Sequence, residues 1–286
     1  MASMRDIKRR KSSISSTQQI TKAMKLVSTV KLQKAKTRAE EAVPYFDYMY
    51  KTVCSLLAKA GNINHPYLQP QTSEKKAVVT ITSNRGLAGG YNSNIVKLLL
   101  KSDMPKDKLD IWAIGRKGEE ALAHRGYNIA VSEDEVMEAP TYEDAAAISA
   151  RLLEAYANGE IGEIYLAYTH FKNTVVHQPK LIKLLPVEID EEKAGESQSD
   201  NLLMNFEPNA EEVIGMIVPK YVTSLIYGAL VEAVASENGA RMQAMDSATS
   251  NAEDMIVDLT LKYNRARQGS ITQELTEIIA GAEAIS

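Results

Sequence analysis

The chain has 286 residues, 44 % of them hydrophobic, with 33 Lys+Arg against 37 Asp+Glu; this is a globular composition, which excludes a disordered or collagen-like chain and suffices for a sizeable core. Its one cysteine, Cys54, excludes an internal disulfide and a cysteine zinc site, and there is no unbroken run of about 18 apolar residues to span a bilayer. The near-zero charge is a cancellation, because the net is +9 over residues 1–60, −9 over 61–219 and −4 over 220–286.

Residues 1–60 contain no Gly and one Pro, Pro44, which suits a long helix. From Leu32 the apolar positions are Leu32, Ala35, Ala39, Ala42, Phe46, Met49, Val53, Leu56 and Ala60, at alternating steps of three and four. That is a coiled-coil seam. Carried backwards, the same spacing meets Ser28, Lys25, Thr21 and Gln18, so the seam is expected to weaken there. Pro44 is expected to bend the helix, and Gly61-Asn62 to end it. Nothing at the N-terminus resembles the apolar core of a secretory signal.

The middle of the chain has another rhythm. Residues 77–82, 109–114 and 127–131 read as strands, with helices at 92–101, 117–124 and 142–157. Residues 163–170 and 175–189 read as a further pair of strands, and 191–200 as a polar loop. Strands alternating with helices imply a mostly parallel α/β sheet. A continuous helix is expected from Lys220 onwards, with apolar rows at Met245, Ala248, Ala252, Met255 and Leu259, then at Ile271, Leu275, Ile278, Ala282 and Ile285. The two rows are offset, which predicts a stutter near 265–269. Stripes of this length need partners, so the two ends of the chain are expected to pair as an antiparallel coiled coil. The expected division is 1–60 for the N-terminal helix, 61–208 for a Rossmann-like α/β domain and 209–286 for the C-terminal helix.

Two features invite a chemical reading. The Gly-rich stretch from Ser83 to Asn92 (SNRGLAGGYN) joins a strand to a helix, where phosphates bind in nucleotide folds. It has neither the Lys-Ser/Thr of a P-loop nor the spacing G-x-G-x-x-G, so a tight structural turn is favoured about two to one. Gly115-Arg-Lys-Gly118 is a weaker version of it. The basic run Arg5 to Lys11, continued by Lys22, Lys25, Lys31, Lys34, Lys36 and Arg38, suits a nucleic acid, an anionic membrane surface or a partner protein with acidic loops. No aromatic residue interleaves it before Tyr45, which weakens single-strand nucleic-acid binding. The four histidines show no metal-ligand spacing, and no cofactor or catalytic constellation is indicated.

Residues 4–28 (MRDIKRRKSSISSTQQITKAMKLVS) resemble the opening of the ATP synthase gamma subunit family, and 271–284 (ITQELTEIIAGAEA) its C-terminal signature. Residues 236–246 (SENGARMQAMD) and 263–268 (YNRARQ) are similar as well. The family usually has Asp and Cys where this chain has Asn84 and Ala88. The resemblance implies a non-catalytic central-stalk rotor of an F-type, proton-transporting ATP synthase, held at the cytoplasmic face of the bacterial plasma membrane through its complex. It implies as partners the alpha and beta subunits around the coiled coil, the epsilon subunit and the membrane c ring, and no nucleic acid. It also implies rotor–stator contacts: Met24 and Lys25 beside an acidic beta-subunit loop, with Arg241 across from Met24; Arg267 and Gln268 at a catch loop; and Thr272 and Glu274 as neighbouring coupling positions.

Overall fold

A computed structural model describes residues 4–60, 65–69, 71–187 and 209–283. The expected helix end at Gly61-Asn62, the polar loop 191–200 and the row member Ile285 lie outside the described residues. The elements, in chain order, are α1 (Met4–Ala60), β1 (Lys76–Ile81), α2 (Tyr91–Leu100), β2 (Leu109–Ile114), α3 (Arg116–Ala123), β3 (Asn128–Glu133), α4 (Tyr142–Ala157), β4 (Glu163–Phe171), β5 (His177–Leu185) and α5 (Ala210–Glu283). They form two compact units, residues 29–240 and residues 1–28 with 241–286. Both boundaries fall inside the long helices, so each of those helices contributes to both units.

The larger unit is built on a five-stranded sheet of order β3-β2-β1-β4-β5. Pairings β1–β2, β1–β4 and β2–β3 are parallel, and β5 closes the edge antiparallel to β4. Side chains alternate across a strand, so each strand feeds two cores. Ala77, Val79 and Ile81 of β1 and Trp112 and Ile114 of β2 join one apolar cluster, with Ile148 and Leu152 of α4, Val53 and Leu57 of α1, and Ile214, Val218, Val222 and Ile226 of α5. Val78, Leu109, Ile111 and Ala113 join the other, with Ile95 and Leu99 of α2 and Leu122 of α3. Helices thus cover both faces, and the chain reverses its direction across the sheet between β1 and β4. Helix α4 starts on a capping box in which Thr141 and Asp144 satisfy each other's backbone donors.

As expected, α1 is one helix through Pro44, whose side chain is exposed. The long helices differ from expectation at two places. First, α5 begins at Ala210, next to the expected segment boundary at 209 but ten residues before Lys220, where the continuous helix is expected, with Pro219 inside it. Buried Ile214, Val218 and Val222 recur every four residues across that proline, and their burial outweighs one missing backbone bond. Second, an 18-residue window of α5 reaches mean hydropathy 1.5, enough by composition to cross a membrane, and half of it is buried within the protein. Within the larger unit the two helices are antiparallel, since Phe46 meets Tyr227 and Tyr50 meets Tyr221. Gly228 makes this approach possible; a Cβ there would lie 2.9 Å from the Phe46 ring.

Candidate functional site

The smaller unit holds every residue of the expected contact set. Its helices are again antiparallel, with Thr21 against Thr249 and Lys25 against Asp246. The row on α1 that faces inward is Met4, Ile7, Lys11, Ile14, Gln18, Thr21, Lys25 and Ser28, at strict three-four steps. The seam therefore keeps its spacing and changes its chemistry. Thr21 and Ser28 are buried, at 8 % and 3 % exposure, while Ile20, Leu26 and Val27 stand 58–62 % exposed.

On α5 the inward row is Met245, Thr249, Ala252, Ile256, Leu259, Tyr263, Ala266 and Ser270. Thr249 joins the expected Ala248, both half-buried, Met255 gives way to Ile256, and the expected stutter is absent from this row. Among the described residues it runs as far as α1 lies alongside, and 271–282 are exposed throughout. The second expected row is an outer surface, with Ile271, Leu275 and Ile278 about half or more exposed.

Four polar members of the seam, Thr21, Thr249, Lys25 and Ser28, are bonded. The Thr21 and Thr249 hydroxyls lie 2.7 Å apart, and Lys25 Nζ lies 2.5 Å from Asp246 Oδ1. The Ser28 hydroxyl donates to the Met24 carbonyl at 2.8 Å. Met24 and Arg241 are half-buried. Arg267, Gln268, Thr272 and Glu274 are exposed, and the Thr272 hydroxyl donates back to the Gln268 carbonyl at 2.9 Å. The set is thus two clusters, Met24/Lys25/Arg241 and 267–274, separated by about 39 Å of helix at 1.5 Å per residue. Neither Asp246 as the partner of Lys25 nor the Thr21–Thr249 bond is expected from the sequence. The signal for both is the backward run of the seam, whose polar members keep the three-four spacing.

The Gly-rich loop is held by its own bonds. The Ser83 N–H donates to Asn92 Oδ1 at 2.9 Å, and the Ser83 carbonyl accepts from the Lys117 N–H at 3.0 Å. The Asn84 side-chain amide bridges to the next strand end, donating to the Asp134 carbonyl and accepting from the Arg116 N–H. An Asp at that position would keep only the acceptor. Arg116 in turn pairs with Asp134 at 2.6 Å, and this hydrogen bond holds the Asp134 carboxyl below its usual range. Gly115 and Gly118 seat α3 against β1. A Cβ at Gly115 would lie 2.1 Å from the Thr82 carbonyl oxygen, and one at Gly118 2.5 Å from the Thr82 side chain. These bonds account for the loop as a tight strand-to-helix turn. Ligands of open α/β sheets sit where the strand order reverses, and there, past the ends of β1 and β4, this chain packs part of α5, with Ser236 bonded to Thr169. Among the described residues no three His, Cys, Asp or Glu side chains are grouped to hold a metal.

A family model described as ATP synthase matches residues 3–285. A protein of Lachnoclostridium phytofermentans named ATP synthase gamma chain is 67 % identical, with both chains covered in full. The chain belongs to the ATP synthase gamma chain family. A gamma chain of Alkaliphilus metalliredigens is 44 % identical over 99 % of this chain and 98 % of its own. One of Acetobacterium woodii, named as sodium ion specific, is 39 % identical over 99 % of each. Among solved structures, a chain of the Euglena gracilis mitochondrial ATP synthase (OSCP/F1/c-ring) superposes with a TM-score of 0.70 at 19 % identity, covering 99 % of this chain and 94 % of that one. A chain of the Tetrahymena thermophila central stalk and c ring gives 0.59 at 24 % identity, covering 80 % and 99 %. At such identities the structural likeness establishes the fold, with the long helices and mixed sheet in common.

Proposed function

We propose that this gamma chain works as the central-stalk rotor of an F-type ATP synthase and catalyses nothing itself. Ion flow through a ring of membrane c subunits turns it, and its helices meet each alpha–beta pair in succession. Unequal contacts around the turn shift each catalytic site between open and closed states, which is coupling through a rigid element. The partners are three alpha and three beta subunits around the helices, and the epsilon subunit and c ring at the α/β domain. The complex is held at the cytoplasmic face of a bacterial plasma membrane. Met24, Lys25 and Arg241 are assigned to an acidic beta-subunit loop, and Arg267, Gln268, Thr272 and Glu274 to the catch-loop region.

One observation carries this reading: the smaller unit turns much of its apolar surface outward. Its seam mixes buried Met245, Ala252 and Leu259 with the Thr21–Thr249 hydroxyl pair, the Lys25–Asp246 pair lies at its solvent-exposed edge, and Ile20, Leu26, Val27, Val257, Leu261, Ile271, Leu275, Ile278 and Ile279 face outward. An apolar exterior of this extent calls for a partner. The basic flank from Arg5 to Lys11 is exposed apart from the inward-facing Ile7 and Lys11, and it suits acidic loops. Co-expression with alpha and beta subunits, followed by gel filtration and an ATPase assay, tests the reading. The expected product is a stable complex with one copy of this chain per hexamer. Salt-sensitive binding of the chain to DNA or anionic vesicles, without complex formation, would overturn it.

A further inference from the structure

A rotor turned through its α/β domain needs a joint at which the sheet grips the helix. Apolar packing is non-directional and resists sliding poorly, whereas hydrogen bonds hold a position and an angle. The interface between sheet and α5 is apolar along Ile214, Val218, Val222, Ile226 and Leu230, and then its chemistry changes. Between Glu232 and Gly239, two turns of one helix face, it becomes a row of specific bonds. The Glu232 carboxylate lies 2.7 Å from His170 Nδ1 and accepts from the Phe171 N–H at 3.4 Å. The Ala233 carbonyl accepts from the Tyr91 hydroxyl at 3.2 Å. The Ser236 hydroxyl donates to the Thr169 carbonyl at 3.1 Å.

The sheet end is suited to receive these bonds. Thr169 stands opposite Pro179, which has no backbone donor, and lies beyond Thr80–Ala167, the last β1–β4 pair. Its carbonyl is met by the helix hydroxyl instead. Gly239, at the end of the row, leaves room for the His177 ring; a Cβ there would lie 2.6 Å from Nε2. That nitrogen is buried with no hydrogen-bond partner among the described residues, so the ring is held by shape, with the Phe171 ring 6.1 Å away. The sheet-side groups come from the end of β4, the start of β5 and the first residue of α2, so the helix is held at several points off its axis.

We propose that the Glu232–Gly239 face of α5 is the torque grip of the molecule, with Tyr91, His170, Glu232 and Ser236 as positioning residues that stop the helix rolling on the sheet. The inference rests on the rotor reading above. The test uses the whole complex, with the alpha–beta hexamer fixed to a surface and a bead on the α/β domain. The angular fluctuation of the stalled bead is recorded for wild type, for Tyr91→Phe with Ser236→Ala, and for Leu122→Ala, which lies in the core on the other face of the sheet. The double substitution removes two of the four directional bonds, so the angular variance is expected to rise by at least about 1.5-fold, the joint being one compliance in series with others. Leu122→Ala is expected to lower the thermal midpoint and leave the variance at the wild-type value. Unchanged variance in the double variant, or equal widening in Leu122→Ala, overturns the grip. Should the double variant fail to assemble, Tyr91→Phe alone, which deletes one oxygen, is required to widen the fluctuation. A wild-type bead that never rotates under ATP sinks the rotor reading, whereas a rotating wild type with an unchanged variant sinks the grip alone.

Discussion

Thr21 and Thr249 show how one position can be judged wrongly by hydropathy and rightly by spacing. A threonine in a coiled-coil seam looks like a flaw, yet the two hydroxyls pair at 2.7 Å and neither is stranded. Truncating one removes the hydroxyl–hydroxyl bond while the other keeps its bond to the preceding turn, Thr21 to the Gln18 carbonyl at 3.1 Å and Thr249 to the Met245 carbonyl at 2.7 Å. Each single loss is therefore expected at about 0.5–1.5 kcal/mol, whereas Thr21→Val with Thr249→Val replaces the rung by an apolar contact and recovers much of it. A double-mutant cycle on chemical denaturation of the chain checks this, and additive losses would contradict it. Met24, half-buried and next to Lys25 in the chain, is one of the proposed stator-contact residues. Met24→Lys is expected to reduce ion pumping per ATP hydrolysed while moving the thermal midpoint by less than about 2 °C, as a half-buried site near the surface allows. Unchanged pumping would remove Met24 from the contact.

At the scale of elements, much of the architecture was legible and the rest failed for physical reasons. The parity of Ala77, Val79 and Ile81 against Val78 is written in the strand, and α4 was found to its last residue because its periodicity and cap agree. The start of α5 was hidden by Pro219, since a rule about single residues cannot see the buried row that carries the helix across it. The inward row of α5 departs from the expected one at Ile256 in place of Met255, because only the partner helix decides which of two adjacent residues faces in. Of the candidate site, the resemblance alone names the expected contact positions, and pairings such as Lys25 with Asp246 are not legible in the sequence. The Gly115 junction supplies a prediction for this scale. Its φ of +95° and the 2.1 Å approach of a Cβ to the Thr82 carbonyl make Gly115→Ala destabilising by about 2–4 kcal/mol, from combined backbone strain and overpacking. Gly126→Ala, also at positive φ but in open space, is expected to cost about 1 kcal/mol, the backbone part alone. Thermal unfolding of the two variants separates strain from clash.

For the whole molecule, the apolar cores and the proposed contact residues fall in different units. The larger unit holds the sheet and both apolar clusters, whereas the assigned contact residues all fall in the smaller one. Arg267→Ala with Gln268→Ala should therefore leave folding and complex assembly intact, since both side chains are exposed, and lower the rate of ATP synthesis by membrane vesicles severalfold. Normal synthesis would remove the pair from the coupling path and leave the family and fold untouched.

The outward-facing isoleucines and leucines of the smaller unit also bear on the life of the chain before assembly. A copy that has not met its hexamer exposes Ile271, Leu275, Ile278 and Ile279 along one helix end, the kind of surface that chaperones hold and proteases sort. On the proposed function, assembly would cover the same surface. Its exposure would then mark a copy that has not been incorporated, and faster proteolysis of the chain alone than of the complex is the expected result.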